Sequence, residues 1–260
     1  MTETLLALPA HFRRRLVDAL ESGMLGEATS ATSIRSTLGL TEGGETIAAA
    51  LRDLAELGIT GPAAAAWLRS LDQAVARMPR PDLVWSGPEV LGVHARDTRR
   101  VYEELLGSAE HSVWVCSYAY FDGPKAFDVL ARRMDAKPQL RVTLLLNIQR
   151  RRGDTSASGE LVRRFADRFW GTDWPGSSRP LVYYDPRSLD LDGPSGVLHA
   201  KAVVADEEAL FVTSANLTEA AWDRNIEMGL VVRDRALAAS ALSYLVALID
   251  RGLLTPLPAR

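Results

Sequence analysis

Five polar side chains in the last quarter of the sequence have the types and spacing to act on a phosphate group. They stand mostly two residues apart among apolar residues, and they are His199, Lys201, Ser214, Asn216 and Glu227. An imidazole can attack phosphorus or transfer a proton near neutral pH. An ammonium group and a carboxamide can both bind phosphoryl oxygens. The set predicts phosphodiester cleavage that requires no metal and no cofactor.

Three short strands are predicted to position these side chains. The first carries His199 and Lys201 on one face, because successive side chains of a strand point to opposite faces. The second runs from Ala209 to Thr213, and the third begins with Asn225 and Glu227. If the three strands pair as neighbours, their polar residues line one pocket. There we expect Glu227 to accept the second imidazole N–H and fix its tautomer.

The spacing of these residues resembles a known motif. It reads His199-x-Lys201-x4-Asp206, then Ser214-x-Asn216, then Glu227. This resembles the HKD motif of the phospholipase D superfamily, which implies a phosphohistidine intermediate on His199. The family usually has glycine where this sequence has Thr213. The alternative, a buried structural histidine beside a solvated lysine, leaves the downstream polar pairs unexplained.

Asp206 belongs to the motif, but its position indicates a supporting role in the site. It lies seven residues after His199, which is the wrong parity for the same face of a strand. The run Asp206-Glu207-Glu208 is typical of a hairpin turn, where aspartate bonds to nearby backbone. We therefore expect Asp206 to support the backbone or to form a salt bridge.

The motif occurs in a single copy. His94 is followed by Ala95-Arg96 and His111 lacks a lysine at the right place, so neither begins a second copy. Members of the superfamily use two histidines, one to attack phosphorus and one to protonate the leaving oxygen. Resemblance to the single-motif members implies a homodimer with two His199 side chains in one site at a twofold axis.

The elements along the chain predict two domains. Residues 1–80 show helical spacing, including one helix from Leu5 to Leu20, and the two prolines near residue 80 mark the boundary. Strands and helices alternate over residues 81–260, which predicts an α/β fold, a mixed sheet flanked by helices on both faces. This order resembles the phospholipase D fold over about residues 82–255. The all-α N-terminal domain would dock a partner, cover the catalytic domain or, as a weaker alternative, read DNA.

Composition restricts the class of protein further. The 260 residues carry a net charge of −3, so nucleic-acid binding would need a local basic patch. The single cysteine, Cys116, lies in a buried-strand pattern and fits core packing in a reducing compartment. No apolar run is of membrane length, so we expect a cytoplasmic protein. Asp190 and Asp192 could ligate a cation but are more simply turn residues beside Gly193-Pro194.

A basic segment indicates the substrate. Arginines with nearby tryptophans suit phosphate pairing and base stacking on single-stranded nucleic acid, DNA rather than RNA. They are Arg150, Arg151, Arg152, Arg163, Arg164 and Arg168, with Trp170 and Trp174. An ordinary solvated face with core tryptophans explains the same pattern equally well. A phospholipid substrate is less favoured, because the sequence shows no clear apolar opening for it.

The overall layout gives a narrower resemblance. A helical N-terminal segment, the peptide Trp85-Ser86-Gly87-Pro88-Glu89 and one HKD motif resemble the phospholipase D-like component of the DISARM anti-phage system. That resemblance implies prokaryotic defence, with the other DISARM components as partners. Two hypotheses remain: a metal-independent nuclease, and a non-catalytic subunit that binds nucleic acid or a partner.

Overall fold

The structure, a computed structural model, describes residues 2–89, 91–191 and 196–259. It divides into two compact units, Met1–Met78 and Pro79–Arg260. Asp192 lies outside the described residues.

The first unit consists of helices. They are α1 (Thr2–Leu6), α2 (Ala10–Glu21), α3 (Ala31–Leu38), α4 (Gly44–Glu56) and α5 (Gly61–Arg77). The helix predicted from Leu5 to Leu20 is wrong in one respect, because Pro9 separates α1 from α2. Proline lacks an N–H and clashes with the preceding turn, so it stands at the start of α2 and not inside a longer helix. Leucine and isoleucine side chains from all five helices form the core of this unit.

The second unit alternates strands and helices. Its strands are β1 (Asp82–Ser86), β2 (Arg96–Asp97), β3 (Ser112–Ser117), β4 (Arg141–Leu146), β5 (Leu181–Tyr184), β6 (Ala202–Ala205), β7 (Ala209–Thr213), β8 (Glu227–Arg233) and β9 (Thr255–Pro256). Its α-helices are α6 (Thr98–Ser108), α7 (Gly123–Ala136), α8 (Ser158–Arg168), α9 (Glu219–Asp223) and α10 (Arg235–Asp250). A π-helix, Phe169–Asp173, continues α8, and a 3-10 helix, Pro186–Leu189, follows β5.

The strands form one mixed sheet in the order β2-β1-β8-β7-β6-β3-β4-β5-β9. Helices α6 and α7 cover one face, where Tyr102 packs edge-on against Phe211 at 5.1 Å between ring centres. Helix α10 covers part of the other face, with Ala238 and Leu242 against Val204. The predicted α/β class, a mixed sheet flanked on both faces, is confirmed. Within the part of the chain that is described, no helix has the length and apolar character needed to cross a membrane.

Candidate active site

The polar residues of the motif meet at one edge of the sheet. Strands β6, β7 and β8 are antiparallel neighbours, as the sequence predicts. The beginning of β6, the end of β7 and the beginning of β8 therefore lie side by side. His199 and Lys201 precede β6, Ser214 and Asn216 follow β7, and Glu227 opens β8.

The predicted strand through His199 and Lys201 is wrong, because β6 begins only at Ala202. Pairing with β7 starts at Ala202 and Val212, and one further bond joins the Thr213 N–H to the Lys201 carbonyl at 3.1 Å. Beyond that point β7 has ended, so the backbone at His199 has no strand to pair with. His199 lies on an exposed loop, whereas the Lys201 side chain is buried.

His199, Lys201 and Tyr118 form the centre of the site. The Lys201 Nζ lies 2.9 Å from Nε2 and 3.1 Å from Nδ1 of His199, so the ammonium donates to the imidazole edge. The centre of the Tyr118 ring lies 4.8 Å from the centre of the His199 imidazole and 5.4 Å from the Lys201 Nζ. Burial lowers the pKa of Lys201, while the carboxylate of Glu227 opposes that shift. An ammonium kept in a partly dehydrated site interacts more strongly with an anion.

Glu227 has other partners than the sequence predicts. Its carboxylate accepts hydrogen bonds from the Ser214 hydroxyl and, at 3.2 Å, from Asn225 Nδ2. Ser214 stands on the neighbouring strand end, so it meets Glu227 across the sheet. The predicted bond from the imidazole to Glu227 is absent among the described residues. Glu227 therefore orients the Ser214 hydroxyl in this arrangement.

Asn216 and Thr213 complete the edge. The Asn216 Oδ1 accepts from the Ala119 N–H at 3.2 Å, which leaves its amide N–H groups as donors. The Thr213 Oγ1 accepts from the Ala215 N–H at 3.1 Å and lies 3.4 Å from the Met228 carbonyl. A threonine in place of glycine is thus accommodated by hydrogen bonds at the end of β7.

Asp206 lies at the other end of β6 and contacts none of the groups at this edge. It stands five residues after Lys201, about 16 Å along an extended strand. Asp206 and Glu207 form the predicted turn, with φ of 54° and 57°. The Asp206 carboxylate accepts from the N–H groups of Glu110, His111 and Ser112 at 2.8, 2.7 and 2.9 Å. Of the two predicted roles, these bonds match backbone support and not a salt bridge.

The arginines predicted to bind nucleic acid differ in availability. Arg150 donates to the carbonyls of Leu189, Asp154 and Ser156, so it holds a loop together and is not free for a ligand. Arg163 and Arg164 share Glu160 as an acidic partner. Arg151 and Arg152 are exposed.

The structure does not favour Trp170 and Trp174 as surfaces on which bases stack. Trp174 is 7% exposed and packs in the core, and its indole N–H donates to the Ser178 carbonyl. Trp170 is half-buried, donates to the Pro258 carbonyl and lies under Arg179. For these residues the ordinary interpretation as core tryptophans is the right one.

Two cavities adjoin the site. One of 560 Å³ begins at Tyr118 and is lined by aromatic and arginine side chains. The other, of 610 Å³, lies between the sheet and α10 and is lined by His199, Lys201 and apolar residues including Leu210 and Leu245. The second corrects the expectation that there is no apolar opening. Small residues, Ala200 and Ala241, are part of its lining although they are distant in sequence, which a linear pattern does not reveal.

The remaining histidines of this unit lie elsewhere. His94 lines a separate cavity of 610 Å³ with Trp85 and Trp222, and His111 is at the end of the sheet where Asp206 lies. Among the described residues, no group of three or more histidine, cysteine, aspartate or glutamate side chains could hold a metal ion. Cys116 is buried, and burial raises the pKa of its thiol to about 12.

Comparison with known proteins places this arrangement in context. Residues 102–248, more than half of the chain, match the family model described as cardiolipin synthase, PLD-like domain. The DISARM protein DrmC of Bacillus paralicheniformis is 26% identical over 151 residues. That alignment covers 58% of this chain and 56% of the DrmC sequence, so the chain spans little more than half of that relative.

Solved structures also align. The phospholipase D family member Nuc from Salmonella typhimurium is 18% identical, with 68% of this chain and 97% of Nuc covered at a TM-score of 0.44. NucT from Helicobacter pylori is 16% identical, with 68% and 99% covered at 0.47. Phosphatidylserine synthase from Haemophilus influenzae is 17% identical, with 74% and 46% covered at 0.46.

Proposed function

This chain belongs to the phospholipase D-like family, and on that premise we propose that it is a metal-independent phosphodiesterase that cleaves nucleic acid. The observation that carries the proposal is the gathering of His199, Lys201, Asn216 and the Ser214–Glu227 pair at one edge of the sheet. The set supplies a nucleophile and several donors for phosphoryl oxygens, which is what hydrolysis through a covalent intermediate needs.

The first step is attack by a neutral His199 ring nitrogen on phosphorus. A nitrogen–phosphorus bond forms, the bond from phosphorus to the leaving oxygen breaks, and a second imidazolium donates its proton to that oxygen. Lys201 and the amide of Asn216 bind the non-bridging oxygens, where the negative charge is concentrated. Each such donor in a water-poor site contributes about 3 kcal/mol to transition-state stabilisation.

The second step returns the histidine. Water attacks the phosphohistidine, its proton passes to the second imidazole, and the nitrogen–phosphorus bond breaks. The two imidazoles must begin in opposite protonation states, so the rate should pass through an optimum in pH.

The second imidazole comes from a second copy of the chain. Within the described residues, His94 and His111 lie outside this edge, so His199 of a twofold partner is the remaining source. An apolar face supports this arrangement: Leu83, Leu230 and Val212 are adjacent in register and 38%, 50% and 51% exposed. Contiguous exposed apolar side chains typically mark an interaction surface. Met228, 58% exposed, lies on the same face of β8, next in sequence to Glu227, whose side chain points to the opposite face.

The similarity to the DISARM protein DrmC supports a role in prokaryotic anti-phage defence, with other components of that system as partners. DNA is the proposed substrate. The unit Met1–Met78 contributes an independent helical core to which such a partner could dock.

The test is cleavage of end-labelled single-stranded DNA in excess EDTA by the wild type, His199→Asn and the control His111→Asn. We expect the His199 variant to lose at least about a thousandfold in rate, as is usual when a nucleophile is removed. His111→Asn should retain activity, because its side chain is exposed at the other end of the sheet. An acid-labile covalent adduct of the labelled oligonucleotide, joined to wild-type His199 through phosphorus, would identify the intermediate.

Two results would contradict the proposal. Cleavage that survives His199→Asn would exclude this nucleophile, and cleavage that EDTA abolishes and magnesium restores would exclude a metal-independent reaction. A monomer with full activity would exclude the shared site. If neither DNA nor RNA is cut, the non-catalytic subunit is the better hypothesis.

A second candidate is a phospholipase. The observation that favours it is the apolar cavity of 610 Å³ beside His199, which has the character of an acyl-chain site. Release of a headgroup from phosphatidylglycerol vesicles, lost in His199→Asn, would support this candidate over the nuclease.

A further inference from the structure

A groove of 560 Å³ leads away from the catalytic histidine. We call it the Tyr118 groove; its lining includes Tyr118, Phe121, Asn147, Arg151, Arg164 and Phe165. Tyr118 follows β3 and Asn147 follows β4, two parallel neighbours whose ends meet at this edge. Because Tyr118 also contacts the His199 ring, a molecule in the groove would lie next to the reacting phosphate.

Phe121 is an exposed aromatic ring held in a defined position. Its side chain is 72% exposed, while its N–H donates to the Leu217 carbonyl at 3.3 Å. The preceding residue, Tyr120, forms an isolated bridge with Leu217. An exposed ring on an anchored backbone loses little entropy when a flat ligand stacks on it. Phe165 adds a second aromatic wall to the groove.

Arginines supply positive charge along the same groove. Arg164 and Arg168 line it but already have acidic partners, Glu160 and Asp173. Arg151 is exposed and makes no ion pair with any described residue. Asp154 is the one carboxylate of the lining, and hydrogen bonds from Ser156 hold its pKa below the usual value. Arg151 is therefore the guanidinium that can pair with an incoming phosphate.

Asn147 lies in the wall of the groove with an unused donor. It is 8% exposed, and its Nδ2 has no hydrogen-bond partner among the described residues. Its Oδ1 accepts from the Leu198 N–H at 3.2 Å, one residue before His199. A buried amide donor without a partner costs free energy, which a ligand acceptor such as a base carbonyl would recover. Asn147 thus connects the groove to the catalytic loop.

We propose that the Tyr118 groove binds a single-stranded nucleic-acid segment beside the cleaved phosphate, with a base stacked on Phe121 and a neighbouring phosphate on Arg151. The inference rests on the proposed function, since it assigns the substrate of that same site. Duplex ends do not fit this role, because paired bases hide the faces and edges that Phe121 and Asn147 contact. Of the predicted arginines, Arg151 thus binds the phosphate. The stacking ring is Phe121, whereas the sequence pattern pointed to Trp170 and Trp174.

The experiment measures binding and not cleavage, so that it stands apart from the test of catalysis. All proteins carry His199→Asn, which keeps the probe intact, and a fluorescent single-stranded oligonucleotide is titrated at several salt concentrations. Phe121→Ala should weaken binding roughly 5- to 150-fold, the range for loss of one stacked base. Arg151→Ala should reduce the slope of log affinity against log salt by about 0.7.

Matched controls separate the groove from general surface effects. Tyr244 is 76% exposed on α10, and Arg141 is an exposed arginine at the opposite end of β4 from the groove. Tyr244→Ala and Arg141→Ala should bind the probe as the parent does. A duplex of the same sequence should bind more weakly and should not respond to Phe121→Ala.

The inference is overturned if Phe121→Ala and Arg151→Ala bind the single strand as the controls do, or if the parent protein fails to bind it. Binding of anionic phosphatidylglycerol vesicles instead, lost in Arg151→Ala, would assign the groove to lipid headgroups and also overturn it. Normal groove binding together with cleavage that survives His199→Asn would contradict the proposed function alone.

Discussion

Asp206 belongs to the motif, but its proposed role is to support the backbone, whereas the other motif residues act on the phosphate. Its carboxylate accepts three backbone N–H groups, from Glu110 to Ser112, at the beginning of β3. These bonds fix the loop before β3 to the β6–β7 turn at the end of the sheet remote from His199. Replacing Asp206 should therefore lower stability and leave the chemistry of each folded molecule intact.

The magnitude follows from the three bonds. A hydrogen bond to a charged group contributes about 1.5–3 kcal/mol when buried, and less here because Asp206 is half-buried. Asp206→Ala loses all three hydrogen bonds and also places alanine at φ 54°, so we expect a loss of about 2–4 kcal/mol. Asp206→Asn keeps one acceptor oxygen and tolerates this backbone conformation, so about 1–2 kcal/mol is expected.

The assay compares thermal unfolding with cleavage. For a unit of this size, 1 kcal/mol corresponds to roughly 2–4 °C in Tm, so Asp206→Ala should melt roughly 5–15 °C lower. Glu207→Gln is the matched control, since it removes the next carboxylate of the same turn. At a temperature where every variant is folded, all should cleave at the wild-type rate. An Asp206→Asn protein with unchanged Tm and lost cleavage would refute the reasoning and indicate that Asp206 takes part in catalysis.

Two further predictions concern Lys201 and Gly229. Because burial lowers the pKa of Lys201, the affinity of the wild type for inorganic phosphate should fall as the pH rises toward 10.5, whereas Lys201→Arg, always charged, should lack that alkaline loss of affinity; the same alkaline loss in Lys201→Arg would contradict it. The unfolded chain binds the Lys201 proton more tightly, so this group makes stability rise with pH between its folded and unfolded pKa values. A Cβ on Gly229 would lie 2.7 Å from the Val212 carbonyl oxygen, so Gly229→Ala should cost about 1–3 kcal/mol in urea unfolding. Gly159→Ala, in helix α8 with nothing within 4 Å, should not destabilise the protein.

Most helices and strands could be predicted because local chemistry sets their ends. Ser30 accepts from the Ser33 N–H and Gly39 adopts φ 76°, which together begin and end α3. The run Leu-Val-Tyr-Tyr of β5 has the apolar and aromatic residues typical of a strand. Apolar spacing continues across Pro9, and this is why one helix was predicted where the proline separates two. Spacing reports which residues are buried, whereas the backbone of proline decides whether a helix continues.

The loop with His199 shows what a period of two can and cannot indicate. Alternating polar and apolar residues continue back to Leu198, and this is why a strand was predicted there. A strand also needs a neighbour to pair with, and β7 ends at Thr213. Where one strand ends thus depends on the length of the strand that pairs with it. The local sequence pattern carries no information about that length.

The groove residues were missed for a related reason. Tyr118 and Asn147 lie near the His199 loop because β3 pairs with β6 and β4 pairs with β3, although more than 50 residues of chain separate β4 from β6. Residue type was a poorer guide than position, since Arg150 donates to backbone carbonyls and Trp174 is buried in the core. Side chains that follow parallel strands collect at one edge, where ligands of α/β sheets bind. Applied to β3 and β4, that rule points to Tyr118 and Asn147 before any arginine is counted, and it explains why the Tyr118 groove includes these two residues.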